Sequence, residues 1–158
     1  MQPVKADAGM KRIPAHRLIL LILTAAVLLV IFVHSALPKS VSLDESEELS
    51  ESILDPLFRL LGLDPPSQHA VRKTAHVLEF AVLSGLFVLC FRGKIVRTVG
   101  AGFLTAFLDE SLQLLSGRGA EIADVWIDLI GIAIGTAIGF LFRKAVIALR
   151  SRRSHHKK

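Results

Sequence analysis

Residues 18–37 read LILLILTAAVLLVIFVHSAL, 20 consecutive positions without Asp, Glu, Lys or Arg. A helix rises about 1.5 Å per residue, so about 20 apolar residues cross the hydrocarbon core of a bilayer. The stretch predicts a membrane-crossing helix, and with it a chain that folds in lipid. Lys5, Lys11, Arg12 and Arg17 precede it, as basic residues precede a secretory signal, but the apolar run exceeds the roughly 7–15 residues of a signal core. An uncleaved span is the stronger reading, and cleavage near Ser35 or Ala36 the weaker.

Three further apolar stretches follow, at 74–91, 98–115 and 125–142, each about long enough to span. Unlike the first, they carry ionisable residues: His76 and Glu79, then Asp109 and Glu110, then Asp128. Helices of a soluble bundle would show a polar face along their whole length, and these do not. Composition agrees: 52% of the 158 residues are hydrophobic and 21% charged, with a mean hydropathy of +0.55. The expected fold is all-α, a polytopic integral membrane protein with a four-helix transmembrane bundle. It divides into a basic N-terminus (1–17), the transmembrane domain (18–142) and a basic tail (143–158). Cys90 is the only cysteine, which excludes a disulfide framework or a Cys-rich zinc module. With no tyrosine and one tryptophan, the chain lacks the aromatic platform of a single-strand nucleic-acid binder.

Charge placement orients the spans, because Lys and Arg near span ends favour the cytoplasmic side. With the N-terminus inside, 14 basic residues fall in inside segments, and 5 (Lys39, Arg59, Arg72, Lys73 and Arg118) fall outside. Both termini are therefore expected in the cytoplasm of a multi-pass cell-membrane protein. The net charge of +5 is then explained without nucleic acid: the tail from 143 sits against anionic lipid headgroups, at about 1 kcal/mol per basic residue. The outside loop at 38–72 is acidic. Ser42 with Glu45 suits a capping box. Leu49, Ile53, Leu57, Leu60 and Leu61 recur at helical spacing, Pro56 marks a break or restart and Gly62 a stop. That pattern predicts an amphipathic extracytoplasmic helix on the membrane surface or capping the bundle.

In this topology the ionisable groups gather at one depth. Lys73, His76 and Glu79 open the second span, Asp109, Glu110 and Gln113 close the third, Arg118 lies in the next loop, and Asp124 and Asp128 open the fourth. All face the outer leaflet, and the inner halves of the same spans are apolar. Asp124, Asp128, Gly131, Gly135 and Gly139 form one helical stripe, whose glycines permit close approach of another helix. Intramembrane carboxylates and imidazoles are normally paired, turned to the interior, and indicate function by default. Five acids stand against Lys73, Arg118 and His76, so either some carboxylates hold a proton or a cation is present.

The ordered set Arg72-Lys73, His76, Glu79-Phe80, Asp109-Glu110, Gln113, Gly117-Arg118, Asp124, Gly131 and Gly135 resembles the VanZ-like family of small bacterial membrane proteins, over about residues 35–142. Asp128 departs from the family pattern, which more often has Asn. The family takes its name from an accessory protein associated with low-level teicoplanin resistance, so the resemblance implies an envelope role and an effect on glycopeptide susceptibility, without an established reaction.

The functional reading is an outward polar cavity that binds or modifies a cell-envelope or lipid-linked substrate. His76 would act as general acid or base oriented by Glu79, Asp109, Glu110 and Asp128 would tune protonation or hold a divalent ion, and Lys73, Gln113, Arg118 and Asp124 would meet the substrate. One histidine is few for zinc, oxygen ligands suit a magnesium-like ion better, and no metal or cofactor is assigned. Whether the protein is an enzyme stays open. The alternatives are a polar network that only fixes helix packing, a partner-binding scaffold using the glycine seam, and a small proton- or ion-linked transporter. The last would carry ionisable groups through the whole bilayer.

Overall fold

The computed structural model describes residues 13–117 and 122–155. Among the described residues the protein is all helix, without strands: α1 (Ala15–Ala36), α2 (Lys39–Leu49), a π-helical turn (Ser50–Leu54), α3 (Asp55–Leu60), α4 (Gln68–Cys90), α5 (Ile95–Leu115) and α6 (Ile122–His155). Arg118 and the basic positions Lys5, Lys11, Arg12, Lys157 and Lys158 lie outside the described residues. By length and composition α1, α4 and α6 are able to cross a membrane. α5 has 21 residues, but Asp109, Glu110 and Gln113 in its last two turns lower its apolar character.

Local chemistry sets the helix ends. α1 stops just before Pro38, whose ring disfavours helix in the residue ahead of it. α4 starts after Pro65 and Pro66, with Ser67 Oγ accepting the Ala70 N–H at 3.3 Å as N-cap. In the connection between α1 and α4, α2 begins at Lys39, so Ser42 lies inside the helix and not at the capping-box position expected for it. Pro56 acts as a restart: it sits in the first turn of α3, directly after the π-turn, where Asp55 N–H bonds the Ser50 carbonyl. A proline ring crowds the carbonyl four residues back, and the widened turn lies over that position. Gly62 ends α3 with φ 71°. Its N–H bonds the Arg59 carbonyl at 3.1 Å and the Leu63 N–H bonds that of Phe58 at 2.9 Å, the left-handed helix stop that glycine favours.

α6 continues without a break from the fourth apolar stretch through the basic segment to His155. The sequence places a boundary near residue 142, but Ala, Leu, Arg and Lys propagate helix well and no glycine or proline interrupts them after Gly139.

The bundle has polar groups inside and large apolar groups outside. Ile31, Phe80, Leu83, Phe87, Ala106 and Ile132 form the apolar centre. Asp109, Asp128, Gln113, Ser84 and Thr136 are buried beside it, while Ile22, Leu29, Phe107 and Ile138 are exposed. In water that distribution would be unstable, and in lipid it is the expected one. The glycine stripe of α6 lies against α4 within the chain. A Cβ at Gly131 would sit 2.5 Å from the Val77 carbonyl oxygen, and one at Gly135 would overlap the Ala81 carbonyl. Gly139 faces Gly85, so the two helices run parallel at a constant offset, with antiparallel α5 packed against both.

Candidate polar site at one end of the bundle

Three helices bring His76 (α4), Asp109 (α5) and Asp128 (α6) together. His76 Nδ1 is 3.3 Å from Asp128 Oδ1 and 3.8 Å from Asp109 Oδ2. Asp109 is 0% exposed and Asp128 1%, whereas the His76 side chain is 22% exposed. Helical spacing accounts for the meeting. Three residues before Gly131 on the same stripe of α6, Asp128 aims inward because Gly131 holds that face of the helix against the backbone at Val77.

Asp109 is the most heavily bonded member. Gln113, one turn on, donates from Nε2 to Asp109 Oδ2 at 2.8 Å, and Ser35 at the end of α1 donates to Asp109 Oδ1. Ser35 Oγ also contacts the Ile31 carbonyl at 2.8 Å. Ser116 Oγ, just beyond α5, bonds the carbonyls of Ser35 and Gln113, each at 3.0 Å. Glu110 is buried beside this group.

Other candidates lie at the margin. Lys73 Nζ is 3.6 Å from Asp124 Oδ1, with both side chains about one-third exposed; this pair joins the start of α4 to the start of α6. Glu79 is turned to α1, where His34 Nδ1 lies 3.2 Å from its Oε1. Among the described residues, the carboxylates within 4 Å of the His76 ring nitrogen are those of Asp109 and Asp128. Arg118 lies outside the described residues.

The sequence reading missed His34 and Ser35. Hydropathy makes residues 18–37 a span without Asp, Glu, Lys or Arg and assigns its polar end no role. The available signal was depth: both fall in the last turn of α1, at the level of Asp109. Hydropathy also makes the other half of the spans apolar, yet Ser84 Oγ and Thr136 Oγ1 lie 2.9 Å apart and buried there. These are neutral hydroxyls bonding between α4 and α6, not ionisable groups.

Chemically the arrangement is not a nucleophilic triad, in which a histidine stands between serine and carboxylate. Here the carboxylate of Asp109 stands between Ser35 and His76, and the serine hydroxyl is engaged as a donor by Asp109 and the Ile31 carbonyl, not by the histidine. What the site offers is an imidazole facing two buried carboxylates, suited to holding or passing a cation, with a half-open Lys73–Asp124 pair beside it.

Searches of curated proteins and of solved structures found no match. A family model described as VanZ/LLP1 matches residues 19–143, most of the chain, and the protein belongs to the VanZ/LLP1 family.

Proposed function

We propose that this membrane protein crosses the bilayer four times through α1, α4, α5 and α6, with both termini cytoplasmic, and that its polar end opens outward to bind the anionic group of a lipid-linked envelope substrate. One observation carries the reading: a lysine about one-third exposed, Lys73, lies beside His76 and the buried carboxylates of Asp109 and Asp128. A lysine there meets an anion arriving at headgroup level, and the buried group behind it exceeds what helix packing alone requires, since interhelical hydrogen bonds in membranes average below about 1 kcal/mol. The apolar stripe of the loop helices supports the same orientation. Leu49, Ile53, Leu57, Leu60 and Leu61 are all exposed and would rest on the outer membrane surface. In the cell the activity is read as altered glycopeptide susceptibility, teicoplanin in particular.

Two measurements test this. Cysteines introduced at Ser67 and Ser151 should label from the outside and the inside respectively, and the reverse result would overturn the topology. His76→Ala should abolish the change in teicoplanin susceptibility produced by expressing the protein while leaving its membrane abundance intact. A phenotype lost only in step with abundance would favour the second reading, a network that fixes helix order. The bonds from α1 to Glu79 and Asp109 favour that second role for those two residues.

A further inference from the structure

We propose that His76, Asp109 and Asp128 bind one divalent transition-metal cation of the zinc or manganese class. This inference rests on the preceding section for the purpose of the site but not for its existence.

The three residues offer one imidazole nitrogen and two carboxylate oxygens, all within 4.8 Å of one another. Zinc and similar ions hold such atoms at about 2.0–2.2 Å, which in a tetrahedral shell separates neighbouring ligands by about 3.3–3.6 Å. The observed 3.3 and 3.8 Å from His76 Nδ1 to its two carboxylate neighbours require only small side-chain adjustments to meet that spacing.

Hydrogen bonding points the same way. Asp128 is 1% exposed, yet neither of its carboxylate oxygens accepts a hydrogen bond among the described residues, and His76 Nδ1 makes none either. The ring nitrogen lies at ion-pair distance from both carboxylates, 3.3 Å from Asp128 and 3.8 Å from Asp109, and completes a well-formed hydrogen bond with neither. An imidazolium formed to neutralise the acids would be expected to direct its N–H at one of them. The three atoms lie within 4.8 Å of one another, close enough to share one ion. A buried carboxylate without donors is strongly unfavourable unless a cation compensates it.

Asp109 has the support usual for a metal ligand. Gln113 and Ser35 fix its two oxygens, and such outer contacts orient ligands and strengthen binding. The imidazole suits zinc or iron and the two carboxylates suit manganese, whereas calcium and magnesium take oxygen ligands throughout. Three protein ligands leave a coordination position free, the arrangement of catalytic rather than structural sites. A metal there would let the site bind a phosphate or another anionic oxygen of the substrate directly, with Lys73 beside it.

The full chain, purified in detergent with a histidine-free tag and with His155→Ser and His156→Ser to silence the tail, is stripped with chelator and dialysed against ZnCl2 or MnCl2. Elemental analysis should give about one equivalent of metal per chain, and Asp128→Asn and His76→Gln should each weaken binding by at least about tenfold. Because either variant could fail to fold, the parent protein loaded with Mn2+ supplies an independent reading: electron spin-echo modulation should show one directly coordinated imidazole nitrogen. Retention well below one equivalent, equal retention by folded variants and parent, or absence of the nitrogen coupling would overturn the proposal. If metal binding fails while the teicoplanin phenotype still depends on His76, the envelope reading stands alone. If metal binds and no phenotype follows, the converse holds.

Discussion

In the half of the bundle that holds Cys90, the polar side chains are neutral: Thr24 bonds the Leu20 carbonyl at 2.7 Å and Thr98 that of Lys94 at 3.2 Å on their own helices, and the contacts between helices join only neutral groups, Thr24 to Cys90 at 3.4 Å and Ser84 to Thr136 at 2.9 Å. At the end that holds Asp109 the bonds between helices involve ionisable groups, from Ser35 on α1 to Asp109 on α5 and from His34 on α1 to Glu79 on α4. A hydroxyl bonded to its own preceding turn says nothing about which helix lies next to it, so the Cys90 end is ordered mainly by shape, through the glycine stripe of α6 and the apolar centre, with the neutral Ser84–Thr136 contact added. The Asp109 end adds directional bonds between ionisable groups, which are expensive to bury and specify orientation. A protein needing only a stable bundle could have used the first device throughout. The second therefore marks the end where chemistry is expected.

Replacing a glycine of the seam should have the largest effect. Gly135→Val would drive a branched side chain into the Ala81 backbone, which cannot move aside as a flexible side chain can. Overpacking of this kind costs about 3 kcal/mol or more where the obstacle is backbone. Folded protein recovered after detergent extraction should fall to a small fraction of the parent. Normal recovery with an unchanged unfolding midpoint would show that α4 and α6 are not held by shape, and the comparison between the two ends would fail at its first term.

Asp109→Ala should have a smaller effect, destabilising the bundle by about 1–2 kcal/mol, because Gln113 loses its acceptor in a buried setting while Ser35 keeps the Ile31 carbonyl. Thermal unfolding in detergent, followed by circular dichroism, measures it. A higher midpoint would be equally informative: it would mean that burying this carboxylate opposes folding by more than its two bonds favour it, leaving function as the only reason for its presence.

How much of this was legible in the sequence follows from the same contrast. The helices of the bundle, the inward stripe from Asp124 to Gly139 and the common depth of His76, Asp109 and Asp128 could all be read, because they depend on hydropathy, helical spacing and span direction. The partner of the glycine stripe could not be read, since a small-residue face fits a neighbour in the same chain or in another copy equally well. Nor could the pairing of Glu79 with His34, because spacing along one helix places Glu79 beside His76 and is blind to a competitor on α1. Ser35 escaped for a related reason: a serine bonded to its own preceding turn is ordinary in a membrane helix, and only the position of α5 makes it a partner of Asp109. Pro56 announced a break in the loop helix, but whether the chain would kink, stop or widen into a π-turn depends on how neighbouring turns absorb the missing N–H.

Lys73→Gln should have the smallest effect on the fold and separates the two ends most cleanly. The Lys73–Asp124 pair is only about one-third exposed on each side, at 3.6 Å, but it lies at a helix end open to screening, where such pairs contribute about 0–1 kcal/mol. The unfolding midpoint should therefore stay within about a degree or two of the parent, as expected for ~0.5 kcal/mol or less in a domain of this size. The proposed substrate contact would lose its cation, so the teicoplanin phenotype should weaken while Lys73→Arg retains most of it, the charge being kept. Seam substitutions should show the opposite signature, in which phenotype and folded protein disappear together. If Lys73→Gln lowered stability as much as Asp109→Ala and changed the phenotype only in proportion, the polar end would be a structural clamp like the glycine seam, built from charges where the other end uses shape.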